Sequence, residues 1–357
     1  VNGIPSLLFN MISGVAVGYF PKKKVVFLCD IGRGIAVFLT AVLYIKGMLL
    51  TWHLFLFTFI NSTFESFRSP AGTSLFAQIV SKEKYEHAVS LDSSGTTFIE
   101  LIGYSIAGSL IALLGIGGVI ILDSITFLLC GFIISLIKVK DETITKGKLT
   151  LNTYFKSIKE VTHYIFKRKL ILNVCVFAGI FNLFLIPFNS MQAAYVELVL
   201  KKGPNAMSVM AVSFLAAMII GGIAVPKVKS TFGGFKLFII SGLIISLCYA
   251  GLSQMNYLSN SSYMYIALSA ICFMMGFAVP MLSVPIKVAL MSNIEREYLP
   301  RTVSFVNTLA LSSTPVGGAI VGAMVGFIAL RHVYMIFSIA VMALFVIQIF
   351  NKNLREL

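Results

Sequence analysis

The sequence is poor in charge and histidine, and these shortages exclude several classes of protein. Only 12% of its 357 residues are charged, against about 25% in an ordinary soluble domain. The four histidines are scattered, and no metalloprotease, serine-hydrolase or nucleotide-binding loop motif occurs. The five cysteines show no C-x-x-C or C-x-x-H spacing. We therefore expect neither an enzyme nor an ATP-driven pump, and no disulfide framework, metal site or cofactor.

Long apolar runs take the place of the missing charge. Apolar residues make up 58% of the chain, in runs too long for the alternating strands of an outer-membrane barrel. At roughly 20 residues per crossing they predict about eleven spans. The predicted spans are residues 2–20, 25–46, 50–76, 88–115, 117–138, 169–199, 205–226, 235–254, 262–292, 299–328 and 330–350. The sequence thus predicts an all-α polytopic membrane protein embedded in a lipid bilayer.

The basic residues orient these spans. With the loop at residues 21–24 placed in the cytoplasm, 23 of the 28 Lys and Arg residues fall on the cytoplasmic side. Arg68 lies inside a span. The outer basic residues are Lys46, Lys201, Lys202 and Arg331. This asymmetry is typical of multi-pass proteins. We therefore interpret the net charge of +14 as a signal that orients the spans in a bacterial cytoplasmic membrane, and not as a sign of binding to nucleic acid.

One long, basic connector divides the chain. Within it, residues 150–168 carry apolar side chains at helical spacing with lysines between them, which is typical of an amphipathic helix. Two interpretations stay open: a linker helix that covers the two halves, or a helix that binds lipid at the inner membrane surface. The predicted domains are an N-terminal bundle (1–138), the linker (139–168), a six-helix bundle (169–350) and a cytoplasmic tail (351–357).

An internal repeat relates the two halves. The segment that begins at Lys82 recurs from Arg296, a displacement of 214 residues, and the match continues without insertion to Gly108 and Gly322. A repeat of this length favours two similarly oriented bundles. Equivalent spans are then six apart, but only five precede the connector. We therefore expect one span to be missing from the start of the sequence, which begins with Val1.

Several short motifs resemble one family. Residues 276–318 read GFAVPMLSVPIKVALMSNIEREYLPRTVSFVNTLALSSTPVGG, and residues 69–83 and 121–129 read SPAGTSLFAQIVSKE and ILDSITFLL. These segments resemble the major facilitator superfamily, and within it the drug:proton antiporter branch that contains macrolide-efflux permeases and the bacterial enterobactin exporter. The resemblance implies two pseudo-twofold-related six-helix bundles that export a small hydrophobic or cationic substrate in exchange for protons. It implies no cofactor, and we expect a monomer.

The sequence departs from that family at two places. The loop that usually reads G-x-x-x-D-R-x-x-R-R reads GVAVGYFPKKK here, with Gly18 at the acidic position and Tyr19 at the arginine. Tyr104 stands where proline is common. In the family that aspartate helps to latch the cytoplasmic gate. A degenerate permease or a partner subunit without transport activity stays open as an alternative, as does an exporter of a siderophore or other metabolite.

Ionisable residues inside the spans are the candidates for proton coupling, because a charge inside a span is costly. Glu100 lies near the middle of a span with no basic residue within four positions. Glu65 and Arg68 are three residues apart, a spacing that predicts an ion pair on one helix face. Asp123 occupies a position that is commonly acidic in the family. Each also has a purely structural interpretation: a neutral acid, a static ion pair or a helix-packing hydrogen bond.

Three further groups complete the predicted site. The cytoplasmic gate candidates are Lys22, Lys23, Lys24, Asp30 and Arg33, of which the last two are again spaced to pair along one helix. The candidates for close, sliding helix interfaces are Gly103, Gly108, Gly317 and Gly322. The substrate-cavity candidates, whose rings and thioethers suit an apolar or cationic ligand, are Phe181, Phe184, Phe188, Met191, Phe273, Met274 and Phe277.

Overall fold

The computed structural model describes residues 3–139, 151–259, 261 and 263–351, and within these ranges the chain is helical without strands. Eight helices there are long and apolar enough to cross a membrane. The all-α, multi-pass prediction is therefore confirmed. Three of the eleven predicted spans have no candidate of their own in that set. The first helix has 16 residues, about 24 Å, shorter than a bilayer core of about 30 Å, and the third contains Glu65 and Arg68. The predicted spans 88–115 and 117–138 share one candidate, Ser105–Leu136.

The helices follow one another with short connections. The N-terminal part forms α1 (Gly3–Gly18), α2 (Lys22–Ile45), α3 (Thr51–Ile79) and α4 (Tyr85–Leu136), with a 3₁₀ turn at Lys82–Lys84. The linker forms α5 (Leu151–Lys167). The remainder forms α6 (Lys169–Ser190), α7 (Gln192–Tyr195), a π-helical turn (Val196–Leu200), α8 (Pro204–Phe232), α9 (Gly234–Gln254), a 3₁₀ turn (Met255–Leu258), α10 (Met264–Asn293), α11 (Leu299–Phe327) and α12 (Leu330–Ile349). Residues 352–357 of the predicted tail lie outside the described ranges.

The 52-residue α4 consists of two arms. Its helical geometry breaks at Gly115, where φ is 68° and ψ is 169°, a conformation that glycine alone adopts readily. The break separates residues 85–114 from residues 116–136, at the boundary that the sequence predicts between two spans.

The internal repeat is visible in the helix boundaries. α4 begins at Tyr85 and α11 begins at Leu299, positions that are equivalent in the repeat. The break at Gly115 is equivalent to Ala329, which lies between α11 and α12. In both halves the helix is therefore interrupted after the same number of residues.

The chain divides into two compact units that do not follow the sequence order. Unit 1 contains residues 1–82, 104–175 and 293–312, and unit 2 contains residues 83–103, 176–292 and 313–357. α4 thus begins in unit 2 and ends in unit 1, whereas α11 begins in unit 1 and ends in unit 2. The segments that cross over are the two copies of the internal repeat.

Unit 1 is organised around α2. The second arm of α4 runs antiparallel to α2, because an added methyl at Gly117 would meet Ile45, one at Gly34 would meet Leu128, and one at Gly131 would meet Ile31. α3 lies against α2 as well, with Phe64 close to Gly32. A small apolar core joins these helices to α1 through Val17, Val26, Ala71 and Leu75.

Unit 2 has an aromatic core without ion pairs among its own buried, described residues. The rings of Phe177, Phe238 and Phe345 lie within 4.7–5.4 Å of one another, centroid to centroid. α9 and α12 are tied by mutual hydrogen bonds in which Ser246 donates to the carbonyl of Ser338 and Ser338 donates to that of Ser246, at 2.9 and 2.8 Å. This part of the protein is stabilised by packing and neutral hydrogen bonds.

The predicted amphipathic helix is present as α5. Its apolar residues Val161 and Ile165 are buried, while Phe166 is exposed. Since the apolar face is covered by protein at these two positions, the structure favours the linker interpretation for that part of the face. Residues 140–150 of the linker lie outside the described ranges.

Candidate functional site

Two ion pairs join α2 and α3 inside unit 1. Arg68 donates from Nε to Oδ1 of Asp30 at 2.5 Å, and Arg33 pairs with Glu65 through its Nη1. Both pairs keep one antiparallel register, since a step of three residues along α2 is matched by a step of three back along α3. Asp30 is fully buried, whereas 45% of the Glu65 side chain is exposed.

This pairing corrects the sequence-based expectation. Asp30 and Arg33, and likewise Glu65 and Arg68, were predicted to pair along their own helices, and the structure pairs each residue with the neighbouring helix instead. A helical i, i+3 pair contributes only about 0.2–0.5 kcal/mol at a surface. Inside a helix bundle the antiparallel neighbouring helix brings opposite charges into direct contact. Pairing between helices is therefore observed in place of pairing along one helix.

The second arm of α4 adds a third carboxylate to this cluster. The guanidinium of Arg33 lies 4.3 Å from the ring centroid of Phe127, and Arg33 acts electrostatically on Asp123, one helical turn away. Ser124 donates to the carbonyl of Gly34 at 2.8 Å and holds the arm against α2. The intramembrane charge cluster, defined as Asp30, Arg33, Glu65, Arg68 and Asp123, therefore contains three carboxyl groups and two guanidiniums.

The cluster lies deep in the spans. Glu65 is the central residue of the 29-residue α3. The Oδ2 atom of Asp30 is buried and receives no hydrogen bond from the described part of the chain. Ionisable groups at such depth are costly and usually functional.

Glu100 is not part of this cluster. It lies in the first arm of α4, in unit 2, and is exposed alongside Phe98 and Ile99. The structure therefore brings together four of the predicted charges with Asp123 and leaves Glu100 elsewhere.

The lysines at the start of α2 differ from one another. Lys22 is almost completely buried in unit 1, Lys24 is exposed, and Lys23 donates to the carbonyl of Ser135 at 2.7 Å, near the end of α4. Asp30 and Arg33, which were grouped with them as gate candidates, belong instead to the charge cluster deeper in the span.

The first turns of α11 pack on α1 and α3 within unit 1. A methyl group on Gly14 would approach the Cβ atom of Ser304 to 2.5 Å and the Cα atom of Arg301 to 3.2 Å. Beside this crossing, Asn307 donates to Ser69 at 3.0 Å. α1 and α11 can be this close only because Gly14 has no side chain.

The linker helix α5 is fastened to the turn that precedes α11. Tyr164 stacks on Tyr298 with ring centroids 4.2 Å apart, and Arg168 pairs with Glu295 at 2.5 Å. The buried Arg301 pairs with Glu160, at 3.7 Å. Burial raises the pKa of Tyr164, whose hydroxyl accepts a hydrogen bond from the backbone of Glu295 at 3.2 Å. We call these contacts the linker clasp: Glu160, Tyr164 and Arg168 with Glu295, Tyr298 and Arg301.

The first turns of α4 make the corresponding contacts within unit 2. Glu86 pairs with Lys229 of α8 at 3.2 Å, and Asp92 pairs with Lys287 of α10 at 2.8 Å. Ser94 packs on Gly222 of α8, where an added methyl would overlap its hydroxyl. Each copy of the repeat thus lies on a glycine of another helix.

The glycines that make these crossings were missed by the sequence analysis. The signal is a second, shorter repeat: residues 14–17 read Gly-Val-Ala-Val and residues 222–225 read Gly-Ile-Ala-Val. Of the predicted interface glycines, Gly317 alone is in close contact, with Ile186. An added methyl at Gly103, Gly108 or Gly322 would meet no atom within 4 Å, and their role at a sliding helix interface stays a prediction. A glycine pattern marks a permissive position, but the rotation of the helix decides which side meets a neighbour.

Three of the seven predicted cavity residues pack inside unit 2. Phe181 and Phe188 are buried, with Phe181 stacked on Phe177 and Phe188 against Phe214. Phe184 meets Phe337 edge to face, with ring centroids 5.9 Å apart. The α6 face that carries Phe181 and Phe188 thus turns into the aromatic core, and a role of these residues in lining the substrate cavity stays a prediction.

The remaining three aromatic and methionine candidates on α10 are more open. Phe273 and Met274 are exposed, and Phe277 lines a small cavity of about 120 Å³. Met291 of α10, which was not a candidate, is buried. The candidate Met191 lies at the break between α6 and α7 and is half-buried. These four candidates stay predictions.

Comparison with known families decides the identity of the fold. Residues 1–318 match the model of the Major Facilitator Superfamily. The chain belongs to this superfamily. The wider resemblance is confirmed, and the narrower one to drug:proton antiporters stays a prediction.

Two bacterial relatives belong to the same superfamily. The chain is 28% identical to the uncharacterized MFS-type transporter YkuC of Bacillus subtilis (strain 168) over 273 residues, which are 71% of the chain and 62% of YkuC. It is 21% identical to the uncharacterized MFS-type transporter YfiS of the same organism, over 99% of the chain and 83% of YfiS. The alignment thus spans about three fifths of the length of YkuC.

The fold is also that of a solved superfamily structure. The human organic anion transporter MFSD10 (TETRAN) superposes with a TM-score of 0.79 at 10% identity, over 97% of this chain and 81% of that one. At this identity the likeness concerns the fold alone. The superfamily match and the eight candidate membrane helices of the described residues establish a multi-pass membrane protein.

Proposed function

We propose that this transporter exports a small hydrophobic or cationic compound in exchange for protons, by alternating access. The observation that carries the proposal is the intramembrane charge cluster, in which two ion pairs, Asp30–Arg68 and Glu65–Arg33, are joined by a third carboxyl group, Asp123, on which Arg33 acts electrostatically. A cluster with more carboxyl groups than guanidiniums can take up a proton without leaving an unpaired positive charge.

Partner exchange at Arg33 is the proposed coupling step. Arg33 pairs with Glu65, which is partly exposed and can receive a proton, and it also acts on Asp123. Protonation of Glu65 weakens its pair with Arg33, and the guanidinium then turns to Asp123. Because Arg33 lies on α2 while its two acidic partners lie on α3 and α4, this exchange changes the forces between three spans.

The substrate class rests on the residues that lie in the spans. Phe273, Met274 and Phe277 of α10 are open or line a cavity, and such side chains suit apolar and cationic ligands. Glu100 is a second candidate for proton or cation binding, because it is an exposed carboxyl group within a membrane-spanning helix arm.

The test is accumulation of fluorescent drugs, macrolides and a siderophore in cells with and without the protein, with and without a proton uncoupler. We expect uncoupler-sensitive export that is abolished by Glu65→Gln and by Asp123→Asn. The matched control is Glu197→Gln, which removes an exposed carboxyl group outside the cluster and should export at the parental rate.

Each other result has a definite meaning. Parental rates in both cluster variants, with loss in Glu100→Gln, move the coupling site to Glu100. Parental export that ignores the uncoupler refutes proton coupling. Export of the siderophore alone makes the protein a metabolite exporter, and unchanged accumulation of every compound supports the non-transporting alternative.

A further inference from the structure

A cavity of about 430 Å³ lies in unit 2, whereas the charge cluster belongs to unit 1. It is formed where the π-helical turn, the turn after α9 and the junction of α11 with α12 meet. The residues that matter here are Leu198, Lys201, Asn256, Val325, Leu330 and Arg331. All lie at helix ends or turns on the side that the basic residues predict to be outside the cell. The volume is in the range of small-molecule sites, about 300–1,000 Å³.

The cavity collects positive charge on a side that has little of it. Lys201 and Arg331 both line it, and they are two of the four basic residues predicted on the outer side. Neither forms an ion pair with a carboxylate in the described part of the chain. Lys202 and His332 are the adjacent basic groups, and the acidic Glu197 is exposed one turn before Lys201 without lining the cavity.

The backbone has two further features at the cavity, an unusual conformation at Lys201 and the start of α12. Lys201 has φ 53° and ψ 44° and is the single non-glycine residue with positive φ in the described ranges. A side chain in this conformation costs about 1–2 kcal/mol, which glycine avoids. α12 begins at Leu330 beside the cavity, and no side chain caps it. The first turn of a helix favours an anion.

The remaining lining sets further demands on a ligand. The Oδ1 atom of Asn256 is buried and receives no hydrogen bond from the described residues, so it requires a donor. Leu198, Val325 and Leu330 supply apolar walls, and the neighbouring Phe327 is 90% exposed. A fitting ligand therefore combines an anion, a hydroxyl group and an apolar body.

We propose that this cavity binds the headgroup of an anionic phospholipid of the outer leaflet whose headgroup carries a hydroxyl, such as phosphatidylglycerol. Lys201 and Arg331 bind the phosphate, a headgroup hydroxyl donates to Oδ1 of Asn256, and the apolar walls hold the glycerol backbone. A lipid satisfies all three demands at once, and it is supplied by the bilayer in which these helix ends lie. The site is independent of the transported substrate and of proton coupling.

The experiment uses the full chain, purified in phosphatidylcholine nanodiscs with increasing fractions of an added lipid, and follows the thermal unfolding midpoint. We expect phosphatidylglycerol to raise the midpoint and added phosphatidylcholine to leave it unchanged. Phosphatidylmethanol, which has the phosphodiester but no headgroup hydroxyl, should act more weakly. An equal rise with inorganic phosphate alone would make the cavity a free-anion site and overturn the lipid proposal.

Variants tie the effect to the cavity. Lys201→Gln and Arg331→Gln should each raise the phosphatidylglycerol fraction needed for half of the effect about tenfold, the usual result of losing one charged hydrogen bond. The matched control Lys46→Gln removes an outer basic residue of unit 1 and should respond like the parent. Asn256→Leu should respond equally to phosphatidylglycerol and phosphatidylmethanol.

One variant separates binding from folding. Lys201→Gly removes the charge and also relieves the positive-φ conformation, so it should unfold no earlier than the parent without added lipid while responding weakly to phosphatidylglycerol. A parental response in the Lys201→Gln, Arg331→Gln double variant would refute the site.

Discussion

Arg68 donates to Asp30 of the neighbouring helix at 2.5 Å, although Glu65 lies on its own helix only one turn away. The carboxyl group of Asp30 is completely buried and depends on a guanidinium to neutralise its charge. The carboxyl group of Glu65 is half-exposed and retains access to solvent. Burial of the carboxyl group thus decides which of two candidate partners Arg68 takes. Glu65 therefore pairs with Arg33, and this more exposed pair is the one that can exchange a proton with solvent.

The two ion pairs should be separable by mutant cycles. The substitutions Asp30→Asn and Arg68→Gln should be strongly non-additive, with a coupling energy of about 1–3 kcal/mol, because each single change leaves the partner charge unpaired, in the case of Asp30 a fully buried one. Thermal or chemical unfolding of the purified protein measures it. The comparison cycle, Glu65→Gln with Arg68→Gln, should be close to additive. Greater coupling in the second cycle would restore the within-helix pairing.

Substitution of the crossing glycine should be more harmful than substitution of the predicted ones. Gly14→Ala forces a methyl against the Cβ atom of Ser304 and the backbone of Arg301, and we expect a loss of about 1–3 kcal/mol of stability from overpacking. Gly103→Ala and Gly108→Ala meet open space and should be neutral, or more stable by up to about 1 kcal/mol through helix propensity. Unfolding midpoints of the three variants rank them directly. A Gly103→Ala loss as large as that of Gly14→Ala would contradict the described packing.

The two equivalent turns of the repeat should respond unequally to substitution. Gly115 has φ 68°, whereas Ala329 has φ −60° and ψ 140°, which any residue can adopt. Gly115→Ala should therefore destabilise by about 1–3 kcal/mol, and Ala329→Gly by well under that amount. The readout is the free energy of unfolding of each variant against the parent. Equal effects would show that the two turns share one conformation.

Much of the architecture could be predicted from the sequence, because apolar length and loop charge report directly on membrane spans. The repeat from Lys82 and Arg296 correctly predicted that α4 and α11 begin at equivalent positions, and residues 150–168 correctly predicted α5. The missing first span, the drug substrate and the coupling ion stay predictions. No residue pattern alone reaches them.

The partners of the charged residues and the role of each glycine could not be predicted in the same way. Periodicity gives the spacing of Asp30, Arg33, Glu65 and Arg68 along their helices, but their pairing depends on how α2 and α3 are rotated and aligned. The same rotation turns Gly103 to open space. The shared Gly-x-Ala-Val at Gly14 and Gly222 was a usable signal for the crossings.

The linker clasp predicts a reversible block of transport. Tyr164 and Tyr298 are in stacking contact, so Tyr164→Cys with Tyr298→Cys should be joined by a short thiol-reactive bridge that reductant cleaves. We propose that alternating access opens this clasp, which lies within unit 1, so the bridged protein should lose export and regain it after reduction. Each single cysteine variant, treated identically, is the control. Full export by the bridged protein would mean that α5 and the start of α11 move as one body.

The composition of unit 1 has a consequence for how the protein is made. Its last segment, residues 293–312, follows most of unit 2 along the chain. A ribosome that has just released α5 into the cytoplasm has therefore delivered an N-terminal bundle that still lacks the turns which lie on Gly14 and clasp the linker. Until more than a hundred further residues have been translated and inserted, that bundle lies in the bilayer without the α11 segment that contacts Ser69.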